Sequence, residues 1–398
     1  MNTEAGDKRR LIGNTVATGV AQFASLALAF VLAPLLIREF GVREYGLYVL
    51  VLSIGTFATL LDFGMGAALE KLLAEHLASR RTHEAGQLFS TVLLAYTGIG
   101  VLAMLLYAVL AWRAGHLFHI APSEVRLLRD LLLVSGAIAL ATWPLSTGLR
   151  VLGGLQRYAD AARVALGVTV TSALAAAYVL ATHRSPVTLA ALMGGVTVLG
   201  GIANLVVALA RLRSTGVKPA APARTAFAKV LDFSWAVFVL QLAVQLIYHH
   251  TDRLLLGLFL GVVSVTLYEG PARLVALVVQ LVGLSNSALM PFASQLDATG
   301  RSGTLSALLL RGSRYVTAFI APIATMIVVL ARPLLTTWLG PEFAVAVVPT
   351  MLLVGVQIVL ASATVGHTLV VGTGKLKGRL PYIIFQTLAN VALSVVLS

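Results

Sequence analysis

Between Tyr248 and Arg273 the sequence reads YHHTDRLLLGLFLGVVSVTLYEGPAR. Four ionised side chains lie in this stretch, between two long apolar runs: Asp252, Arg253, Glu269 and Arg273. Charged groups are costly inside a hydrocarbon layer, so they face a protein interior or a wet cavity. The stretch therefore predicts two membrane spans that carry charge towards an enclosed site.

The same stretch repeats an earlier part of the chain. Residues 255–268 match residues 35–48 at one offset (261 − 41 = 220), which pairs Gly41 with Gly261 and Tyr48 with Tyr268. Further matches keep this offset as far as Gly374, without a gap. An even number of predicted spans lies between equivalent positions, so equivalent helices cross the membrane in the same direction. We expect parallel repeats about an axis along the membrane normal, a common transporter plan with the site between the repeats.

Composition places the whole chain in a membrane. Of the 398 residues 58% are hydrophobic and 11% charged, and the mean hydropathy is +0.92. A soluble domain carries roughly twice that charged fraction. We predict an all-α polytopic protein of about eleven spans of roughly 20 residues each. They lie near 13–37, 45–69, 88–112, 127–149, 161–182, 187–209, 230–255, 265–291, 305–330, 345–371 and 381–398.

The loops between these spans carry most of the Lys and Arg residues. Their asymmetry predicts a cytoplasmic N-terminus, and the net charge of +13 then reflects topology and anionic lipid instead of nucleic acid. The basic, Pro-containing loop 211–229 predicts the boundary between halves 1–217 and 218–398. The second half holds about five spans by the same length rule. We expect the native chain to continue for one more span.

Several short motifs resemble the Wzx-type polysaccharide and O-antigen unit flippases of the multidrug/oligosaccharidyl-lipid/polysaccharide (MOP) exporter superfamily. The motifs are Pro34-Leu-Leu-Ile-Arg38, Tyr45-Gly46-Leu47-Tyr48, Leu61-Asp62-Phe63-Gly64-Met65-Gly66, Thr251-Asp252-Arg253-Leu254-Leu255-Leu256-Gly257, Ala288-Leu289-Met290-Pro291, Leu339-Gly340-Pro341-Glu342-Phe343 and Gly372-Thr373-Gly374-Lys375. The resemblance runs from about Gly13 to the end of the chain.

This resemblance implies a MATE-like fold of two six-helix lobes around a V-shaped cavity, with the second lobe incomplete here. It implies alternating access, and transfer of an isoprenoid-pyrophosphate-linked oligosaccharide from the cytoplasmic to the outer leaflet of the inner membrane. The expected partners are the lipid-linked oligosaccharide, membrane lipid, and polysaccharide polymerase and chain-length proteins. No cofactor is expected, and no enzymatic activity.

Asp62 is the first candidate for an ion-coupling role, since it lies deep in the second predicted span beside Gly64 and Gly66. A carboxylate there could take up and release a proton during transport. The alternative is a packing contact in which Asp62 bonds a neighbouring helix across the gap left by the glycines.

Two further acids, Asp252 and Glu269, are also candidates for ion coupling. Glu269 and Arg273 are four residues apart and share one helix face, so they either line the cavity or neutralise each other. Arg253 is a candidate for substrate binding or for anchoring at the interface. His249 is expected in a polar cavity wall and not in a metal site.

The remaining candidates for substrate binding are basic or amide side chains. Arg311, Arg314, Arg150 and Arg157 either set topology or meet a lipid pyrophosphate, because a guanidinium matches phosphate geometry. Uncharged polar residues within spans either contact sugar hydroxyls or bond between helices: Gln22, Gln241, Gln245 and Asn286.

Several absences limit the function. The chain has no cysteine, which removes disulfides and thiolate chemistry, and Gly372-Thr373-Gly374-Lys375 departs from the spacing of an ATP-binding loop. The leading hypothesis is a flippase for lipid-linked oligosaccharides. The alternatives are an ion-coupled MATE-type antiporter, which would favour acids in its cavity, and a glycan polymerase, which would carry a long outer loop.

Overall fold

The structure is a computed structural model. It describes the backbone of residues 2–117, 120–248, 253, 255–287, 302–372 and 385, and the side chains of 19–115, 120–235, 238, 253, 255–283, 303–369 and 385. The described part is helical and contains no strand, which confirms the predicted all-α class. Eight helical segments there are long and apolar enough to span a membrane.

The chain divides into two compact units, Met1–Val262 and Val263–Leu397. Among its described residues the first contains seven long or medium α-helices: α1 (Asn2–Ala58), α2 (Met65–Ala78), α3 (Thr82–Leu117), α4 (Pro122–Gly154), α5 (Tyr158–Ala181), α6 (Pro186–Ser214) and α7 (Arg224–Tyr248). The helix α7 packs against α2 and α3. The lobe boundary at residue 217 that the repeat predicts stays a prediction.

Gly41 interrupts α1 with φ 75° and ψ 167°, a backbone conformation that favours glycine. One apolar segment, Gly19–Asp62, thus contains most of the first predicted span, 13–37, and most of the second, 45–69, which were expected to be separate. Gly261, which matches Gly41 in the repeat, follows the π-helix Leu256–Leu260 and has nearly the same backbone angles, φ 84° and ψ 172°. The two matched glycines therefore serve the same structural purpose in both copies of the repeat.

Within the first unit, α4 packs along α3 on one side and α6 on the other, and α5 packs along α6 and α1. One apolar core lies between α2, α3 and α4 and includes Leu69, Leu88 and Leu152. A second core joins α1, α3 and α4 through Leu50, Tyr107 and Leu131. These cores fix the relative positions of α2, α3 and α4, the three helices that carry the site.

The second unit contains α8 (Val262–Ser287), α9 (Ser302–Val329), α10 (Ala331–Trp338) and α11 (Val347–Gly372). The helices α9 and α11 pack along each other. The helix α8 continues through Pro271, and it approaches α10 closely, since a Cβ at Gly270 would lie 2.9 Å from side-chain atoms of Leu335 and Leu339.

Gly148 allows the close approach of α4 and α6. A Cβ built there would lie 2.5 Å from the Cα of Leu205 and 2.8 Å from the carbonyl carbon of Asn204, which are backbone atoms and cannot rotate away. Small residues let membrane helices approach in this way.

We predict that Gly148→Ala destabilises the first unit by about 1–3 kcal/mol, the cost of overpacking. Gly195→Ala is the matched control, because a Cβ there would meet nothing within 4 Å. Thermal unfolding in one detergent measures both variants. Equal melting temperatures for the two would contradict the close packing of α4 on α6.

Candidate functional site

The site is built on a break in the apolar segment that follows Gly41. The α-helix α1 ends at Ala58, a 3-10 helix covers Thr59–Asp62, and α2 begins at Met65. Phe63 and Gly64 between them have φ 47° and φ 78°. A helix broken at membrane depth leaves backbone donors that must find partners inside the protein.

Asp62 supplies one of these partners. Its two carboxylate oxygens accept from the backbone N–H of Gly66, at 3.2 and 3.4 Å, so the side chain caps the first turn of α2. The hydroxyl of Tyr96 on α3 donates to the same carboxylate. Asp62 is 6% exposed and Tyr96 is fully buried, so this contact joins α2 and α3 inside the protein.

Arg150 reaches this cluster from α4. A Cβ at Gly66 would lie 2.7 Å from the guanidinium carbon of Arg150, so only glycine leaves room for the guanidinium there. Asp62, Tyr96 and Glu70 all act electrostatically on Arg150. An Nη of Arg150 also donates to an Oε of Glu70 on α2, at 3.3 Å.

Glycines also bring Glu70 close to α4. A Cβ at Gly153 would lie 2.8 Å from the carboxyl carbon of Glu70, and one at Gly154 would lie 2.9 Å from its backbone oxygen. The result is a polar cluster of Asp62, Tyr96, Arg150 and Glu70, which we call the Asp62 cluster.

A cavity of about 440 Å³ lies beside this cluster, and both Asp62 and Arg150 line it. The rest of its wall is mainly aliphatic, and it also contains aromatic rings and hydroxyl groups: Tyr48, Tyr107, Trp143, Thr59, Ser135, Thr142, Ser146 and Thr197. The ring of Trp143 meets that of Tyr96 edge-on at 5.5 Å. Such a cavity offers one guanidinium, one carboxylate, hydroxyl partners and aromatic faces to an amphipathic ligand.

The structure thus joins two candidates that the sequence analysis treated separately, Asp62 and Arg150. The hydrogen bond from Tyr96 also shows that Asp62 bonds a neighbouring helix, as the packing alternative expected.

The pair of Glu269 and Arg273 lies in the second unit, where Arg273 Nε donates to Glu269 Oε2 at 3.1 Å. Glu269 is 5% exposed, and the pair shares one face of α8 as its spacing predicted.

Of the other candidates for the site, those with described side chains lie outside the Asp62 cluster. Arg157 is exposed in the turn after α4, and Arg311 and Arg314 are exposed on α9. Arg253 is half-buried and Gln22 is exposed. Gln241, Gln245 and Asn286 lie in described helices without described side chains, and His249, His250 and Asp252 lie outside the described residues.

Tyr96, Glu70 and Trp143 were missed by the sequence analysis. The repeat carries a signal for the cluster, because at the offset of 220 Asp62, Tyr96 and Arg150 correspond to Val282, Val316 and Val370. Three polar positions in one copy that are all valine in the other mark a feature specific to the first half.

The family described as "Polysaccharide biosynthesis protein" matches residues 11–297, more than half of the chain. No curated protein matches the chain in sequence.

Solved transporters share its fold. An inward-facing multidrug resistance MATE family transporter of the MOP superfamily aligns with a TM-score of 0.73 at 14% identity, over 96% of this chain and 88% of that one. A mutant of the MATE transporter VcmN from Vibrio cholerae aligns with a TM-score of 0.61 at 12% identity, over 96% and 90%.

A MOP superfamily transporter from Pyrococcus furiosus, described as having a binding pocket of reverse polarity, aligns with a TM-score of 0.61 at 13% identity, over 98% of this chain and 94% of that one. Because the matched model covers more than half of the chain, the chain belongs to the polysaccharide biosynthesis protein family, and its fold is that of the MOP superfamily transporters to which it is similar.

Proposed function

We propose that this membrane transporter moves a lipid-linked oligosaccharide, carried on undecaprenyl pyrophosphate, from the cytoplasmic to the outer leaflet by alternating access. In this proposal the chain spans the inner membrane with its N-terminus in the cytoplasm, and residues 1–217 and 218–398 form the two lobes. The product would supply polysaccharide polymerase and chain-length proteins that build cell-surface polysaccharide.

The cavity beside the Asp62 cluster is the observation that carries the proposal. A lipid-linked sugar presents an anionic pyrophosphate and a ring with hydroxyl edges and apolar faces. Arg150 suits the pyrophosphate, because a guanidinium can bind two phosphate oxygens at once through its paired N–H groups. The sugar ring can contact hydroxyl groups such as those of Thr142 and Ser146, and the ring of Trp143.

The surroundings of Arg150 support a mechanism of exchange. Glu70 binds the guanidinium in an ion pair, and the charge of Asp62 also attracts it. An entering pyrophosphate would compete with both carboxylates for Arg150, and a carboxylate released in this way could take up a proton. Binding of the head group would thereby be linked to a change of charge at Asp62.

A second function, ion-coupled antiport of a small molecule, is favoured by one observation, the buried carboxylate of Asp62 on the cavity wall. An acid in such a position also suits a cationic substrate. The two functions differ in their need for Arg150, because a cation would be repelled by the guanidinium.

The first test follows labelled substrate in vesicles that contain the purified protein. We expect undecaprenyl-pyrophosphate-linked oligosaccharide to cross between leaflets, and Arg150→Lys to slow this by at least about tenfold, the cost of losing charge-assisted hydrogen bonds. Arg157→Lys is the matched control, since Arg157 is exposed in the turn that follows the same helix. Exchange of a small organic cation without movement of the lipid would instead establish the antiporter.

A second prediction concerns Asp62. Asp62→Asn keeps the shape of the side chain and an oxygen that accepts from Gly66, but removes the negative charge beside Arg150. We expect transport to fall while the amount of protein in the membrane stays near normal. Transport that equals the wild type at every external pH and sodium concentration tried would leave Asp62 with its capping role alone.

A third prediction compares the two members of the pair on α8. Arg273→Ala leaves the buried Glu269 without this partner, and removing one member of a buried pair costs about 3–5 kcal/mol. If Arg273 also contacts the pyrophosphate, Arg273→Ala should reduce transport more than Glu269→Ala after correction for protein level. Equal activity of wild type and Arg273→Ala would remove Arg273 from the site.

A further inference from the structure

A second cavity, with a mainly polar wall, lies away from the Asp62 cluster, where the end of α2, the start of α3 and the first turns of α7 meet. Its volume is about 130 Å³. Its wall is formed by Leu72 and His76 of α2, Glu84, Gln87 and Leu88 of α3, and Thr225, Ala226 and Lys229 of α7. We call it the His76 cavity.

Several contacts hold the start of α7 on the other two helices. Lys229 Nζ lies 3.6 Å from Glu84 Oε2, and Lys71 Nζ lies 4.4 Å from the centre of the Phe233 ring. The backbone N–H of Ala223, just before α7, donates to Thr91 Oγ1 of α3 at 3.1 Å. The attachment of α7 thus depends in part on charged groups around the His76 cavity.

His76 is the unusual member of this cavity. It is 5% exposed, and its Nδ1 is buried without a hydrogen-bond partner in the described part of the protein. Its Nε2 lies 3.9 Å from Glu84 Oε2. A buried polar atom without a partner costs about 1–3 kcal/mol, so the imidazole is held in its place by the packing around it.

Charged groups surround the imidazole from every element of the cavity: Glu75 on α2, Arg81 in the α2–α3 turn, Glu84 on α3 and Lys229 on α7. Glu84 is already shared, because Arg81 lies 3.4 Å from it and Lys229 3.6 Å. A proton on His76 would add a third cation beside one carboxylate.

Burial, followed by the charge of Arg81, lowers the pKa of His76 below its ordinary value of 6.5, and Lys229 acts in the same direction. Glu84 and Glu75 oppose this shift. His76 therefore stabilises the packed arrangement while it is neutral. This contribution is complete above the ordinary pKa and is lost as the pH falls through the lower value of the folded protein.

We propose that His76 is a pH-sensitive latch, which holds the start of α7 on α2 and α3 while it is neutral and releases it when it takes up a proton. The loop 215–223 enters α7 at this point, on the face that the charge pattern predicts to be cytoplasmic. The latch responds to the pH on that face, and it does not depend on which substrate the transporter carries.

Protonation of His76 starts the release, because Glu84 cannot pair fully with both His76 and Lys229. A protonated imidazole needs water or an anion at the buried Nδ1, and it competes with Lys229 for Glu84. Lys229 is exposed and can leave Glu84 at little cost, since an exposed ion pair contributes at most about 1 kcal/mol. The first turns of α7 then lose both the ion pair and the closed packing over His76.

The test measures amide hydrogen exchange of residues 224–235 in the full chain in lipid nanodiscs. Rates are corrected for the intrinsic pH dependence of exchange. When the pH falls from about 7.5 to about 5.5, we expect up to about tenfold faster exchange in the wild type. In the released state the imidazole has its ordinary pKa, so at about pH 5.5 its protonated form outnumbers its neutral form by about ten to one. His76→Gln should remove this response.

His83→Gln is the matched control, because His83 is exposed and directly precedes Glu84 of the same cavity, and this variant should respond as the wild type does. Two charge variants keep the test valid if His76→Gln fails to fold. Lys229→Met should move the midpoint of the response to higher pH, and Glu84→Gln should move it to lower pH, since these charges act on His76 with opposite signs.

Three results would overturn the proposal: exchange that does not depend on pH in the wild type, a response that survives in His76→Gln, or midpoints that move in the reverse directions in the charge variants.

Discussion

The capping of α2 by Asp62 is the interaction on which the first unit depends. Apolar surroundings cannot solvate a broken helix, so a break at Phe63 and Gly64 is tolerated only where side chains bind the freed backbone groups. The carboxylate does this for the N–H of Gly66 and at the same time accepts from Tyr96. The helix break, the contact between α2 and α3 and the negative charge of the site thus all involve one side chain.

A buried carboxylate would be costly if Arg150 were absent. Continuum arguments show that removal of one member of a buried charge group leaves the other uncompensated. The glycines at positions 66, 153 and 154 let α2 and α4 approach closely enough for the guanidinium to bind Glu70 and to attract the charge of Asp62. Small residues and charged residues therefore form one arrangement, in which the first provide the space that the second require.

The sequence predicted the class of the protein, the third to sixth spans of its first half, and the pair of Glu269 and Arg273, because these depend on composition and local spacing. The helix break after Asp62, inside the second predicted span, was not predicted. Hydropathy locates a span regardless of its neighbours, and Glu269 with Arg273 needs only the geometry of one helix turn. Tyr96 and Glu70 could not be found in this way. Their roles depend on how α3 and α4 pack against α2, and a tyrosine in a span has no local feature that marks it as the partner of Asp62.

The two readings of Asp62, as a structural contact and as a titrating group, require the same geometry. A carboxylate that only joins helices needs partners that belong to the fold itself. The N–H of Gly66 and the hydroxyl of Tyr96 are partners of this kind. Arg150 differs from them, because it lies on the cavity wall and has a second carboxylate, Glu70, to bind. The cluster thus combines the hydrogen bonds of Asp62 with an ion pair of which one member, Arg150, lines the cavity. Under the proposed mechanism a ligand would compete for Arg150 without breaking the cap of α2.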